Sequence, residues 1–219
     1  MTDDGAAPAA PLPSAAAAGY FGERLPTLAA LADQLAGEGV VRGLIGPREA
    51  PRLWDRHLLN CAVLGELLPD GARVVDVGSG AGLPGLVLAA ARADLSVDLV
   101  EPLQRRTDFL QEAVDALGLA GRVRVVRGRA EEPTVRQTVG SAAWVTARAV
   151  APLGRLAGWC APLLAPGGRL LAMKGDQAQA ELDDAAAQLR RSRLTVVDIV
   201  RCGTGTIDPP ATVVVLERR

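Results

Sequence analysis

Aromatic residues make up 3% of this 219-residue chain: three tryptophans, two phenylalanines and one tyrosine. So few rings offer little for nucleic-acid bases to stack on, and any recognition of RNA would have to run through shape and phosphate geometry. Lysine is scarcer still, Lys174 being the one lysine among 24 basic residues. Arginine abundance beside so many alanines looks like GC-rich coding bias and is weak evidence of phosphate binding. Formal net charge is -1 and the isoelectric point about 5.9, so no global positive field draws the chain onto nucleic acid. A basic surface, if present, must be local. The cysteines, Cys61, Cys160 and Cys202, are odd in number and widely spaced, which fits neither a zinc site nor a disulfide framework. Free thiols in a reducing compartment and no bound metal are expected. No apolar run approaches the roughly 20 residues that span a bilayer, and MTDDGAAPAAPLPSAAAAGY is acidic and proline-broken, so no membrane role and a cytoplasmic location are expected.

What is present falls into three parts. Residues 1–19 are Ala/Pro low complexity and read as a disordered tail. Residues 20–70 read as a small helical element. Leu25, Leu28, Leu31, Ala32 and Leu35 recur at helical spacing between Phe21 and Gly39, and PREAPRLWDRHLLNCAVLGELL, from Pro47 to Leu68, predicts a second helix. Trp54 is expected to pack between these helices, and His57, the single histidine, to pack or hydrogen-bond there.

From residue 71 to 219, short β-branched runs alternate with Ala/Leu-rich helical stretches, the pattern of a doubly wound α/β sheet. Strands are predicted at 73–77, 96–101, 122–128, 142–148, 168–175, 194–200 and 211–217. Helices are predicted near 84–92, 104–117, 152–164 and 177–191. Only RCGTGTIDPP separates the last two strands, so they should pair antiparallel as a hairpin at one sheet edge. The expected fold is a Rossmann-like α/β domain with a seven-stranded, mostly parallel sheet.

VVDVGSGAGLPG, from Val74 to Gly85, ends the first strand in an aspartate and a glycine-rich turn. Gly80 to Gly85 satisfies G-x-G-x-x-G between a strand and a helix, which on its own also suits a dinucleotide. Asp76 shifts the balance. Placed at the mouth of that turn, its carboxylate would repel a pyrophosphate and suit S-adenosylmethionine, which carries an ammonium and a sulfonium. Glu101, ending the second strand, is placed to accept ribose hydroxyls in either ligand class.

Several stretches together resemble one family, the bacterial small-subunit (16S) ribosomal RNA guanine-N7 methyltransferases, also called the glucose-inhibited division protein B family. They are RHLLNC (56–61), VVDVGSGAGLPG, LVEPLQRRTDFL (99–110), GRAEE (128–132), ARAVAPL (147–153) and AMKG (172–175). The resemblance implies the class I methyltransferase fold and transfer of a methyl group from S-adenosylmethionine to N7 of a guanine in the 530 loop, near the decoding centre. It implies 16S rRNA, the 30S subunit or an assembly intermediate as partner, and low-level streptomycin resistance on loss. Cofactor contacts would come from Asp76, Gly78, Gly80, Gly82, Leu83, Glu101, Ala130, Glu131 and Arg148. Arg148 would face the reacting end as the catalytic residue, and Arg129 and Lys174 would meet RNA. Some relatives carry an arginine where this chain has Asp208-Pro209-Pro210-Ala211-Thr212, so a contact made there is not carried over.

The chemistry agrees with a site lacking an acid/base pair. Guanine N7 has an in-plane lone pair and needs only alignment with the methyl donor. Cytosine-C5 chemistry would need a cysteine at the end of the fourth strand, where Arg148 stands. The planar fork of Arg148 could hold a guanine or a phosphate, or else sit in a structural ion pair. Arg122, Arg124, Arg127 and Arg129 could form a phosphate rim or a solvated face. Three other readings remain open at this level: a small-molecule methyltransferase, an NAD-binding regulator, and a cofactor-binding protein without catalysis.

Overall fold

A computed structural model describes residues 10–219. Seven strands form one sheet in the order β3-β2-β1-β4-β5-β7-β6: β1 Arg73–Val77, β2 Ser96–Glu101, β3 Val123–Arg127, β4 Ala142–Arg148, β5 Leu164–Lys174, β6 Leu194–Cys202 and β7 Ala211–Arg218. The first five run parallel, whereas β7 lies antiparallel between β5 and β6. The terminal hairpin therefore closes one edge as expected, with β7 inserted and β6 outermost. All seven predicted strands form, most within two residues of their predicted ends.

Because side chains alternate along a strand, the sheet feeds two apolar layers. Val74, Val97, Leu171 and Val213 face one, together with α4 Gly85–Ala91, α5 Gln104–Ala116 and the N-terminal helices. Val75, Val145, Leu170 and Val214 face the other, beneath α6 Pro133–Val139, α7 Leu153–Cys160 and α8 Ala178–Arg191. Helix α6 is absent from the sequence-based prediction, although Pro133 in its first turn and Gly140 at its end are recognisable helix boundaries.

The N-terminal region departs furthest from expectation. Residues 1–9 of the anticipated tail lie outside the described residues, but residues 10–19 are ordered. Helix α1 spans Ala15–Phe21, its first turn capped by Ser14, whose hydroxyl accepts from the Ala17 N–H. Ala17 is fully buried, and the Trp54 indole donates to the Pro11 carbonyl at 2.6 Å. Small residues allowed this close packing where composition alone suggested none. The predicted first helix divides into a 3-10 turn Gly22–Arg24, α2 Leu25–Gln34 and a π-wound turn Leu35–Gly39. The second is composite: 3-10 at Ala50–Arg52, π-wound at Leu53–Leu59, α3 at Asn60–Ala62 and 3-10 at Val63–Leu67. Among the described residues no helix is long and apolar enough to cross a membrane.

Candidate functional site

The parallel strands bring the glycine turn, Glu101, the loop 128–132 and Arg148 to one rim, the C-terminal ends of β1 to β4, where open α/β sheets bind ligands. The turn is pinned from below: the Gly78 and Ser79 N–H groups donate to the Val100 carbonyl at 2.8 and 3.1 Å. Gly78 has φ +70°, and a Cβ there would sit 2.8 Å from the Val150 methyls, so the loop after β4 closes directly over the turn. Gly80, Gly82 and the peptide of Leu83 continue the turn, while the Leu83 side chain is buried in the core below.

Asp76 does not lie at the mouth of the turn. Its side chain has no exposed surface and points beneath the turn. One oxygen accepts the Gly85 N–H at the start of α4, and the other accepts the hydroxyl of Thr146, its register partner on β4, both at 3.0 Å. Gly85 permits this approach, because a Cβ there would lie 2.6 Å from Asp76 Cβ and from Leu99. Burial pushes the Asp76 acid up to about 6. Asp76 therefore acts below the turn, closing the α4 N-terminus. The Gly85 N–H at that helix start is thereby already taken.

Glu101 is also buried. One carboxylate oxygen accepts the Gly80 N–H and the other the Leu103 N–H, each at 3.0 Å, and Arg106 Nη1 lies 3.6 Å away. Each oxygen keeps a lone pair that a hydroxyl could use. Ala130 is buried and Glu131 exposed in the loop after β3, beside Glu101 through the β2–β3 pairing. Arg129 is exposed on the same loop.

Arg148, half-buried at the end of β4, is gripped by the N-terminal element. Its Nη2 donates to His57 Nδ1 at 2.6 Å, and its Nη1 lies 3.2 Å from Cys61 Sγ and 3.5 Å from Asn60 Oδ1. His57 in turn places Nε2 3.0 Å from Glu49 Oε2. All three partners of Arg148 are neutral groups, so no carboxylate among the described residues lies within ion-pair distance of its charge. His57, Asn60 and Cys61 belong to one short stretch, RHLLNC, and the spacing i, i+3, i+4 puts them on one helix face. That spacing was the available signal. Glu49, Thr146 and Glu181 offered none, because their partners lie far along the chain or across a turn.

Lys174 also departs from expectation. Its side chain is 8% exposed, donating to Glu181 Oε2 at 2.7 Å and to the Ala151 carbonyl at 2.9 Å. Glu181 also accepts the Leu153 N–H at 2.9 Å. Lys174 is thus occupied in holding the loop between Arg148 and α7, and is withdrawn from RNA phosphate. Of the four arginines around β3, Arg122 bonds the carbonyls of Arg92 and Leu95, and Arg124 pairs with Asp98, both at the far end of the sheet. Only Arg127 and Arg129 reach the rim. The three cysteines are free and buried, and among the described residues no cluster of His, Cys, Asp or Glu is suited to a metal.

Residues 24–208 match the family model described as GidB, rRNA small subunit methyltransferase G. Proteins named ribosomal RNA small subunit methyltransferase G from Salinispora arenicola and Thermobifida fusca are each 58% identical to the chain. The alignments cover 93% of this chain, and 85% and 84% of theirs. Solved structures agree in fold: an Aquifex aeolicus S-adenosylmethionine-dependent methyltransferase (TM-score 0.55, 17% identity, 80% of this chain and all of that one). Aeropyrum pernix fibrillarin with natively bound S-adenosylmethionine gives a TM-score of 0.53 at 18% identity, covering 74% of each chain. With the glycine turn, Glu101 and the Arg148 loop at one rim of a class I sheet, the chain belongs to the rRNA small subunit methyltransferase G family of S-adenosylmethionine-dependent enzymes.

Proposed function

We propose that this chain transfers a methyl group to N7 of a guanine in the 530 loop of 16S rRNA, acting in the cytoplasm on the 30S subunit or an assembly intermediate. The observation that carries the reading is Arg148: a cation at the site rim, beside the glycine turn, whose partners are all neutral. An arginine held this way keeps its attraction for a phosphate oxygen or a guanine O6 and leaves N7 free to react.

S-adenosylmethionine, when bound, supplies an electrophilic methyl on a sulfonium. The residues fit it. Gly78, Gly80, Gly82 and the Leu83 peptide would flank its methionine portion, the free lone pairs of Glu101 would take the two ribose hydroxyls, and Ala130 and Glu131 would border the adenine. Asp76 would act through the turn it supports. Since guanine N7 carries its own lone pair, the protein's part is to orient the base, keep the turn rigid and exclude water, with no general base required. Arg148 orients the base and Arg129 meets the RNA backbone.

The test is methyl transfer from radiolabelled S-adenosylmethionine to 30S subunits from cells lacking the protein, with the modified base mapped by cleavage at N7-methylguanine. One new cleavage in the 530 loop is expected, and deletion strains should show low-level streptomycin resistance. Cofactor binding with no label on 30S subunits or free 16S rRNA would refute the RNA target and favour a small-molecule methyltransferase.

A further inference from the structure

We infer that His57 is a positioning residue for Arg148: its ring fixes the guanidinium edge-on from the N-terminal element and so aims the donors that remain at the RNA. The inference rests on Arg148 being the RNA-orienting residue.

Arginine has no acceptor and stays protonated, so Nη2 at 2.6 Å from Nδ1 must be the donor. Nδ1 therefore carries no proton, and the ring proton sits on Nε2, donating to Glu49 Oε2 at 3.0 Å. The carboxylate selects the tautomer and the tautomer selects the arginine, as in other histidines oriented by an acid. Burial and the nearby Arg148 charge both lower the His57 pKa, which keeps Nδ1 open as an acceptor. A guanidinium has five N–H donors. His57, Cys61 and Asn60 engage three, leaving Nε–H and one Nη2–H for a ligand. Without His57 the side chain is held only by a thiol sulfur at 3.2 Å, a weak acceptor by nature, and an amide oxygen at the 3.5 Å limit.

Two near-isosteric variants separate positioning from bulk. His57→Asn keeps an acceptor where Nδ1 sits and loses the bond to Glu49, whereas His57→Gln keeps a polar group where Nε2 sits and loses the Nδ1 acceptor. The measurements are kcat and KM for unmodified 30S subunits, S-adenosylmethionine affinity by calorimetry, and unfolding midpoints, made on both variants, on Arg148→Ala and on the Gln/Ala double variant. Displacement of an orienting group costs about tenfold to hundredfold in rate. His57→Gln should therefore lose kcat/KM on that scale with parental cofactor affinity, His57→Asn should recover most of that loss, and the double variant should be no slower than Arg148→Ala. A side chain that merely fills space would rank the larger Gln above Asn and would add its loss to that of Arg148→Ala, and either result overturns the inference. If Arg148→Ala alone methylates at the parental rate, the role of Arg148 falls and the inference with it. If Arg148→Ala is impaired while His57→Gln is not, only the inference falls.

Discussion

Asp76 holds an ionisable group where no water reaches it, and its two neighbours are both donors, Gly85 N–H and the Thr146 hydroxyl. Burial raises its pKa from 3.8 to about 6, while the donors around it and the charge of Arg148 limit the rise. Below the lower value both folded and unfolded chains are protonated. Between the two values the folded chain holds a proton that the unfolded chain has released, so stability falls as pH rises through this window. The interval corresponds to about 3 kcal/mol. Asp76→Asn should abolish this slope, because the amide can accept from Gly85 and donate to a rotated Thr146 hydroxyl. Urea unfolding at pH 4 and pH 7.5 checks it: the parental chain should be less stable at the higher pH by up to that amount relative to Asp76→Asn. An equal pH dependence in both would show that the carboxylate is not the titrating group. Asp76→Ala should instead lose about 1–3 kcal/mol for each donor left buried without a partner. The motif made Asp76 visible in the sequence. Its direction was not visible, because Thr146 lies 70 residues away and reaches it only through strand pairing.

Elements set the site by clamping the turn Ala149–Pro152 from two sides. Arg148 is tied to the composite helix ahead of it, and Lys174 on β5 ties Ala151 and Glu181 of α8 behind it. Lys174→Met keeps the length of the side chain but not the tether. It should lower stability by about 1.5–3 kcal/mol, the range for hydrogen bonds to charged groups. It should also reduce kcat for methyl transfer while leaving KM for 30S subunits near the parental value. Loss of a lysine that met RNA phosphate would raise KM instead and flatten its salt dependence, so steady-state kinetics at two salt concentrations separates the roles. Elements were also what the sequence displayed best. Strands announced themselves by β-branched runs, and α4, α5 and α8 by the Ala/Leu-rich helical stretches between them. The short polar α6 was missed because it has little apolar periodicity between its boundary residues Pro133 and Gly140, and the changes of winding between Ala50 and Leu67 were hidden because they follow from tertiary packing and not from local preference. Helix α1 was hidden for the opposite reason: an alanine-rich composition reads as featureless, yet Ser14 caps it and Ala17 is buried.

At the scale of the molecule, the N-terminal helices and one face of the sheet share a single apolar layer. Leu28, Leu31, Leu58 and Leu59 belong to the same cluster as Val74, Leu86, Leu88 and Leu171, all 1% exposed or less. Helix α4 depends on them most. Gly85 through Ala90 are all buried, and a helix apolar on every side is stable only when covered, here by the sheet on one side and by α2 and α3 on the other. The boundary at residue 71 that composition suggested is therefore a change of secondary structure within one core. A fragment of residues 71–219 should expose the outer side of α4, the helix whose N-terminus anchors the glycine turn through Asp76. It should also release Arg148 from His57, Asn60 and Cys61 together. The fragment is expected to aggregate or to remain without a cooperative unfolding transition, and to bind no S-adenosylmethionine, as read by size-exclusion chromatography, circular dichroism melting and calorimetry beside the full chain. A fragment that melted cooperatively and bound cofactor at parental affinity would show that the helices only cap a finished domain. In that case their contribution would be confined to Arg148, and the fragment would retain the cofactor site while losing methyl transfer.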